Sequence, residues 1–256
     1  MSLYRDEGIV LRTYRLGEAD RIVVLLTRGR GKVRAVAKGV RKTKSKFGAR
    51  LEPGGHVSLL MYEGRELDII NQAETVDHYR ALREDLERMT DVMALLEAVD
   101  QVAQEGEPNA GLFRMLAGAL RTLGEAEQRP VLLVAAFYWK LLALEGVSPV
   151  VDYCVVCASE GPASLDSAAS LGSGSSAPDL VAFDFVEGGA LCRRHRRGPV
   201  IDPAALALIK RILGGGLAGV LAEPASPAAA AVSGLATSAL ETHLERRLRA
   251  IHLLGQ

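Results

Sequence analysis

Three cysteines and one histidine carry the most specific chemical signal in the sequence. Cys154-Val-Val-Cys157 is followed by Cys192-Arg-Arg-His195, and the chain holds no other cysteine. Two residues between the members of each pair let a tight knuckle aim both side chains at one ion. Two such knuckles supply four soft or borderline ligands, the set that Zn²⁺ takes in closed tetrahedral sites. Because four protein ligands leave no open position, the expectation is one structural Zn²⁺ per chain and no catalytic metal. An odd, small number of cysteines at uneven spacing is not a disulfide framework. The gap between the pairs exceeds the usual ~15–20 residues. The Ser/Ala/Gly-rich run Ala158–Leu180 reads as a mobile loop that accounts for the excess. A short β-like run, Val181–Val186, and a turn at Gly188-Gly189 lead into the second knuckle, as in a zinc ribbon.

A second chemistry is written in charge. Residues 28–50, RGRGKVRAVAKGVRKTKSKFGAR, hold ten Lys or Arg and no Asp or Glu, in a chain with 31 basic and 31 acidic residues. Residues 1–50 contain fourteen basic and four acidic residues, net +10, whereas residues 81–150 contain six and eleven, net −5. Such a stripe repels itself unless a polyanion neutralises it, and phosphates reward it through counterion release whatever the base sequence. The candidate nucleic-acid contacts are Arg30, Lys32, Arg34, Lys38, Arg41, Lys42, Lys44, Lys46 and Arg50. Phe47 interrupts the charges, and two roles are open to it: stacking on a base, or anchoring the loop into the fold. Arg193, Arg194, Arg196 and Arg197 flank His195 and either extend the footprint or solvate the knuckle.

Enzyme signatures are missing. Gly29-Arg30-Gly31-Lys32 lacks the spacing of a phosphate loop, and there is no G-x-G-x-x-G opening a helix, no G-x-S-x-G and no H-E-x-x-H. His56, His78, His243 and His252 are scattered and read as surface or core histidines. The residues therefore describe a binding protein and not an enzyme.

The elements that must position these residues change type near Thr75. Before it come short β-like runs: Gly8–Tyr14, Arg21–Thr27, Lys32–Lys38, His56–Tyr62 and Glu66–Ala73. Within Lys32–Lys38 the period of two puts Val33, Ala35 and Ala37 on one face and Lys32, Arg34, Val36 and Lys38 on the other. Five such strands in a short span predict a small closed barrel, OB-like or SH3-like. Beyond Thr75 the apolar period becomes 3.6. Leu82, Leu86 and Met89 share one helical face; Val92, Leu95, Leu96, Val99 and Val102 share another; Leu112, Met115, Leu116 and Leu120 repeat the pattern. Arg129–Glu145 reads as the central buried helix, Leu206–Leu213 and Thr237–Leu254 as C-terminal helices, and Gly214–Val232 as a loop. The fold class is α+β: a five-stranded barrel over 1–78, a helical bundle begun over 79–150 and completed over 201–256, and a zinc-knuckle module embedded at 151–200.

The N-terminus is charged from its fifth residue, and the longest apolar run, Val131–Trp139, falls far short of the ~20 residues that span a bilayer. A cytoplasmic protein without a membrane segment is expected.

The stretch LGEADRIVVLLTRGRGKVRAVAKGVRKTKSKFGARLEPG, residues 16–54, closely resembles the N-terminal domain of the RecO family of bacterial recombination-mediator and DNA-repair proteins. The resemblance continues through the helices, the C-x-x-C pair and the run His243–Leu248 (HLERRL), and so covers nearly the whole chain. It implies an OB-fold in place of an SH3-like barrel. It implies binding of single- and double-stranded DNA, annealing of complementary strands, and help in loading recombinase onto strands coated by single-stranded-DNA-binding protein. The partners implied are RecR, RecA and that coating protein, at the nucleoid. Many zinc-bearing members close the site with a second C-x-x-C, where this chain has His195. Composition alone serves an RNA- or ribosome-binding module with a structural zinc equally well.

Overall fold

Five strands, β1 (Leu3–Leu16), β2 (Asp20–Thr27), β3 (Gly31–Ala37), β4 (His56–Tyr62) and β5 (Asp68–Asp77), close into a barrel in the order β1-β2-β3-β5-β4, with β4 returning to β1. The computed structural model describes residues 2–77, 79, 82, 84–160 and 179–250. Only β3 and β5 pair in parallel; the other neighbours are antiparallel. This is the OB arrangement. β1 outruns its apolar stretch because it is shared, pairing through Leu3–Ile9 with β4 and through Gly8–Leu16 with β2. The interior is filled by Val10, Val23, Leu25, Ala35, Ala37, Val57, Leu59, Met61 and Ile70. Alternation thus leaves Lys32, Arg34 and Val36 on the outside of β3, as its period of two predicts. The β2–β3 turn depends on Gly31: its φ is +67°, and a Cβ there would lie 2.0 Å from the carbonyl oxygen of Glu107.

Two compact units emerge, one running to Arg129 and taking in the segment from Leu248, the other running from Pro130 to Arg247. In the first, the barrel is joined by α1 (Leu86–Val102) and α2 (Ala110–Glu125), capped by the side chains of Asp85 and Asn109. Leu86, expected on an apolar face with Leu82 and Met89, is 84% exposed. The buried place in that turn is taken by Arg88, whose guanidinium donates to the carbonyls of Leu123 and Glu127 at the end of α2. Carbonyls in and just past the last turn of a helix lack donors within it, so a cation there outweighs a leucine.

In the second unit, α3 (Leu133–Leu144) is buried nearly all round, with Tyr138 and Trp139 at its centre. It packs on α5 (Pro203–Leu213) and α7 (Pro227–His243). Between α3 and α5 lie a short helix α4 (Val155–Ser159) and a hairpin of β6 (Leu180–Asp184) and β7 (Gly189–Cys192). The predicted loop 214–232 is instead largely helical, containing α6 (Leu217–Leu221) and the start of α7. Ser226 caps α7 with Pro227 in its first turn, and the alanines that follow are the strongest helix formers. α7 ends at His243, short of the predicted Leu254. Residues 161–178 of the predicted Ser/Ala/Gly loop, His78 and His252 lie outside the described residues. No described helix is long and apolar enough to cross a membrane.

Candidate metal centre and nucleic-acid interface

Two short elements bring the knuckle residues together. Cys154 caps α4 and Cys157 lies one turn in; Cys192 ends β7, and His195 sits in the 3₁₀ turn Arg193–His195 that follows. Gly189 is required in this hairpin, because a Cβ there would come within 2.4 Å of Val155 and 2.7 Å of the Val150 carbonyl. Leu180, Ala182, Ala190 and Leu191 form a small apolar cluster around the cysteines, with Leu206 of α5 packed against it.

The ligand atoms of Cys154, Cys157, Cys192 and His195 all lie within 4.8 Å of one another. Cys157 Sγ is 3.8 Å from Cys192 Sγ, and His195 Nδ1 is 3.6, 3.4 and 3.7 Å from the sulfurs of Cys154, Cys157 and Cys192. A tetrahedral Zn²⁺ with Zn–S of about 2.3 Å and Zn–N of about 2.0–2.1 Å places sulfurs ~3.8 Å apart and sulfur and nitrogen ~3.5 Å apart. The four residues therefore fit such an ion. The sulfurs are too far apart for a disulfide, and all three cysteines are free. Burial would raise the Cys154 thiol, but backbone N–H groups of Cys157 and Cys192, with the His195 ring, bring it down to about 6. Burial, reinforced by its two cysteine neighbours, pushes Cys157 up to about 12. A thiolate-binding cation would draw off the protons that such crowding retains. His195 Nε2 faces Glu160 Oε1 at 3.6 Å. The carboxylate thus lies on the side of the ring away from Nδ1, the nitrogen that faces the three sulfurs. Sequence reading missed it, although it follows the first knuckle by three residues.

The basic stripe divides in two. On the β2–β3 hairpin the cations have carboxylate partners. Arg28 meets Glu7 at 3.4 Å, Arg30 meets Glu63 at 3.3 Å, and Arg34 meets Glu105 at 3.9 Å. Lys32 is mostly covered, donating to the Asp100 carbonyl at 2.8 Å with the Asp100 carboxylate 3.7 Å away. In the loop 38–50 all six cations, Lys38, Arg41, Lys42, Lys44, Lys46 and Arg50, are exposed, and among the described residues none forms an ion pair. Three donate to backbone oxygens and keep their charge: Arg41 to Gly17 and Glu18, Lys46 to Asn71, Arg50 to Lys46 and Phe47.

Residues 1–79 match the family model described as Recombination protein O N terminal, and residues 83–251 match Recombination protein O C terminal. The chain belongs to the RecO family. It is 41% identical over 260 residues to the DNA repair protein RecO of Frankia casuarinae, covering 99% of both chains. Against the DNA repair proteins RecO of Streptomyces coelicolor and Streptomyces avermitilis it is 42% and 41% identical, covering 98% of each chain.

The N-terminal RecO match spans the whole barrel, and the C-terminal match spans the helices and the knuckle. Within this RecO frame some sequence expectations change. Phe47 is 1% exposed and packs in the barrel interior with Leu51, so it anchors the loop and offers no face to a base. Lys32 is committed to Asp100 and is a structural cation. Arg193 pairs with Asp179 at 2.6 Å, and Arg197 pairs with Asp184 and with Glu187. That leaves Arg194 and Arg196 as the exposed members of the second patch without an ion pair among the described residues. His56 is a core histidine, its Nε2 2.7 Å from Glu7 and its ring stacked on Tyr79.

Proposed function

We propose that this RecO-family chain serves DNA repair as a mediator that binds single- and double-stranded DNA, anneals complementary strands and helps load recombinase onto coated single strands. Its partners in that role are RecR, RecA and single-stranded-DNA-binding protein. The observation that carries the reading is the loop 38–50, with six exposed cations, no ion pair among the described residues, and Phe47 fastening it to an OB barrel. An annealer must neutralise two backbones without reading bases, and charge that is unspent within the protein suits that task. Phosphate contacts come from Lys38, Arg41, Lys42, Lys44, Lys46 and Arg50, with Arg30 and Arg34 of the same unit beside them; Arg194 and Arg196 are separate candidates on the second unit. In the same reading Cys154, Cys157, Cys192 and His195 hold one structural Zn²⁺, which fixes the two knuckles to each other.

The test is the triple variant Lys38→Ala/Lys42→Ala/Lys44→Ala in salt titrations and in an annealing assay. Each single-strand phosphate that is no longer neutralised flattens the log–log salt slope by about 0.7, so the triple variant has a slope shallower by about 2. Annealing slows, and affinity falls by a similar factor on unrelated sequences. Parental binding and annealing at every salt concentration would refute the reading.

A further inference from the structure

The outer face of the barrel presents an aromatic that the basic loop does not account for. A bulge between Val10 and Arg12 resets β1, after which Tyr14 lies opposite Ile22, and Ile22 opposite Val36. Directly paired residues share a face of the sheet. Val23 and Ala35 point into the core, so the row Tyr14–Ile22–Val36 faces outward. Cations border it on both sides. Arg34, paired with Val24, occupies the adjacent row, and Lys38 directly follows β3. Arg41 also reaches back to the carbonyls of Gly17 and Glu18, in the turn after β1.

The tyrosine itself is prepared. Its side chain is 42% exposed, and the Arg12 guanidinium lies over the ring, 4.8 Å from the centroid. Arg12 is fixed in turn by the buried carboxylate of Asp100, Nε to Oδ2 at 2.7 Å. One face of the ring thus rests on a held cation, and the exposed part remains for a second π-system.

We propose that Tyr14 is a base-stacking platform that favours single strands over duplex at this interface. The inference rests on the DNA-binding reading above and adds the residue that distinguishes the two forms. An unpaired base has a free π-face, whereas in a duplex both faces are already stacked. A base laid on Tyr14, Ile22 and Val36 leaves its flanking phosphates beside Arg34 and Lys38. Stacking on one aromatic changes affinity by about 5- to 150-fold per base. Tyr14 touches no phosphate, so it raises affinity without steepening the salt slope.

The experiment is an anisotropy titration of Tyr14→Ala and Tyr14→Phe with an oligothymidine strand and with a hairpin duplex of matched phosphate number, at several salt concentrations. The expected result is a loss of at least fivefold for Tyr14→Ala on the single strand, a change under twofold on duplex, an unaltered salt slope, and parental behaviour for Tyr14→Phe. A Tyr14→Ala variant that weakens both forms equally, or neither, overturns the inference. If that variant melts at a lower temperature than the parent, photo-crosslinking of unaltered protein to strands carrying 5-iododeoxyuridine decides. An adduct on Tyr14 supports the platform; adducts confined to residues 38–50 overturn it. Failure here leaves the DNA-binding reading intact, since that reading falls only if the triple lysine variant binds and anneals as the parent does.

Discussion

The loop 38–50 and the turn around His195 are both rich in positive charge by sequence, yet they differ in how much of it is available. In the loop, six cations face solvent with no ion pair among the described residues. Around His195, Arg193 and Arg197 are tied to Asp179, Asp184 and Glu187, three carboxylates on or beside the β6–β7 hairpin. The same contrast divides the stripe itself, since the hairpin cations Arg28, Arg30, Lys32 and Arg34 each meet a carboxylate from elsewhere in the chain. Charge density along a chain measures what could bind a polyanion. What remains to bind it depends on the acidic residues that folding brings alongside.

The largest effect that separates the two regions is loss of the knuckle. On the proposed zinc reading, a chelator would take the ion from this buried cluster, and Cys157→Ser would take one of its four donors. Structural Zn²⁺ contributes about 10–16 kcal/mol of apparent binding free energy in zinc-finger peptides, so a loss of several kcal/mol in stability is expected here. Calorimetry and elemental analysis measure it: one zinc per chain before treatment, and a lower melting temperature after. A chain that carries well under one zinc when purified would remove the metal from the comparison. Protein still folded after stripping should keep its salt slope for DNA, because the loop belongs to the other unit.

Next in size is the anchor of the loop. Phe47→Ala opens a cavity in the barrel core and should cost about 3–5 kcal/mol, read from urea unfolding. Phe47→Leu should recover much of that. An alanine variant as stable as the parent would mean that the loop is held some other way.

Smaller, but aimed directly at the comparison, is the double variant Arg193→Ala/Arg197→Ala set beside the triple lysine variant. Removing paired cations should leave the DNA salt slope within error of the parent, while the lysine variant has a slope shallower by about 2. Equal flattening in both would show that ion pairing at the hairpin does not withhold charge from DNA.

The smallest effect concerns pH. Burial raises the Asp184 carboxyl, but the hydrogen bonds from Arg197 and from the backbone N–H groups of Glu187 and Val186 outweigh it and hold it below its ordinary value. A carboxyl lowered on folding contributes stability above its unfolded pKa and loses it as pH falls through the folded one. Asp184→Asn should therefore lower the melting temperature at neutral pH. The gap from the parent should close as pH drops below the usual aspartate range of about 4. A gap that persists unchanged into acid would show that the ion pair is not its source.

Much of this was legible without coordinates, for reasons that differ by residue. The barrel strands were readable because period-two alternation in Lys32–Lys38 and the apolar run Arg21–Thr27 are dictated by which side of a strand meets the core. The cysteine and histidine set was readable because a knuckle is local: two intervening residues constrain two ligands whatever surrounds them. The helical start of α7 was also written in Ser226-Pro227 and the alanines after it, but the glycines just before them read as a loop.

What only the tertiary structure decided is which carboxylates and carbonyls the cations meet across long sequence separation. Nothing near Lys32 announces Asp100, nothing near Arg88 announces the carbonyls that end α2, and nothing near Arg12 announces that Asp100 fixes it beside Tyr14. The exposure of Tyr14 depends on the bulge that resets β1, and the burial of Phe47 depends on the barrel closing over it. Sequence determines local geometry because backbone sterics and side-chain period act over a few residues. Whether a charge is free, or an aromatic is a platform or a plug, depends on neighbours that only chain closure supplies.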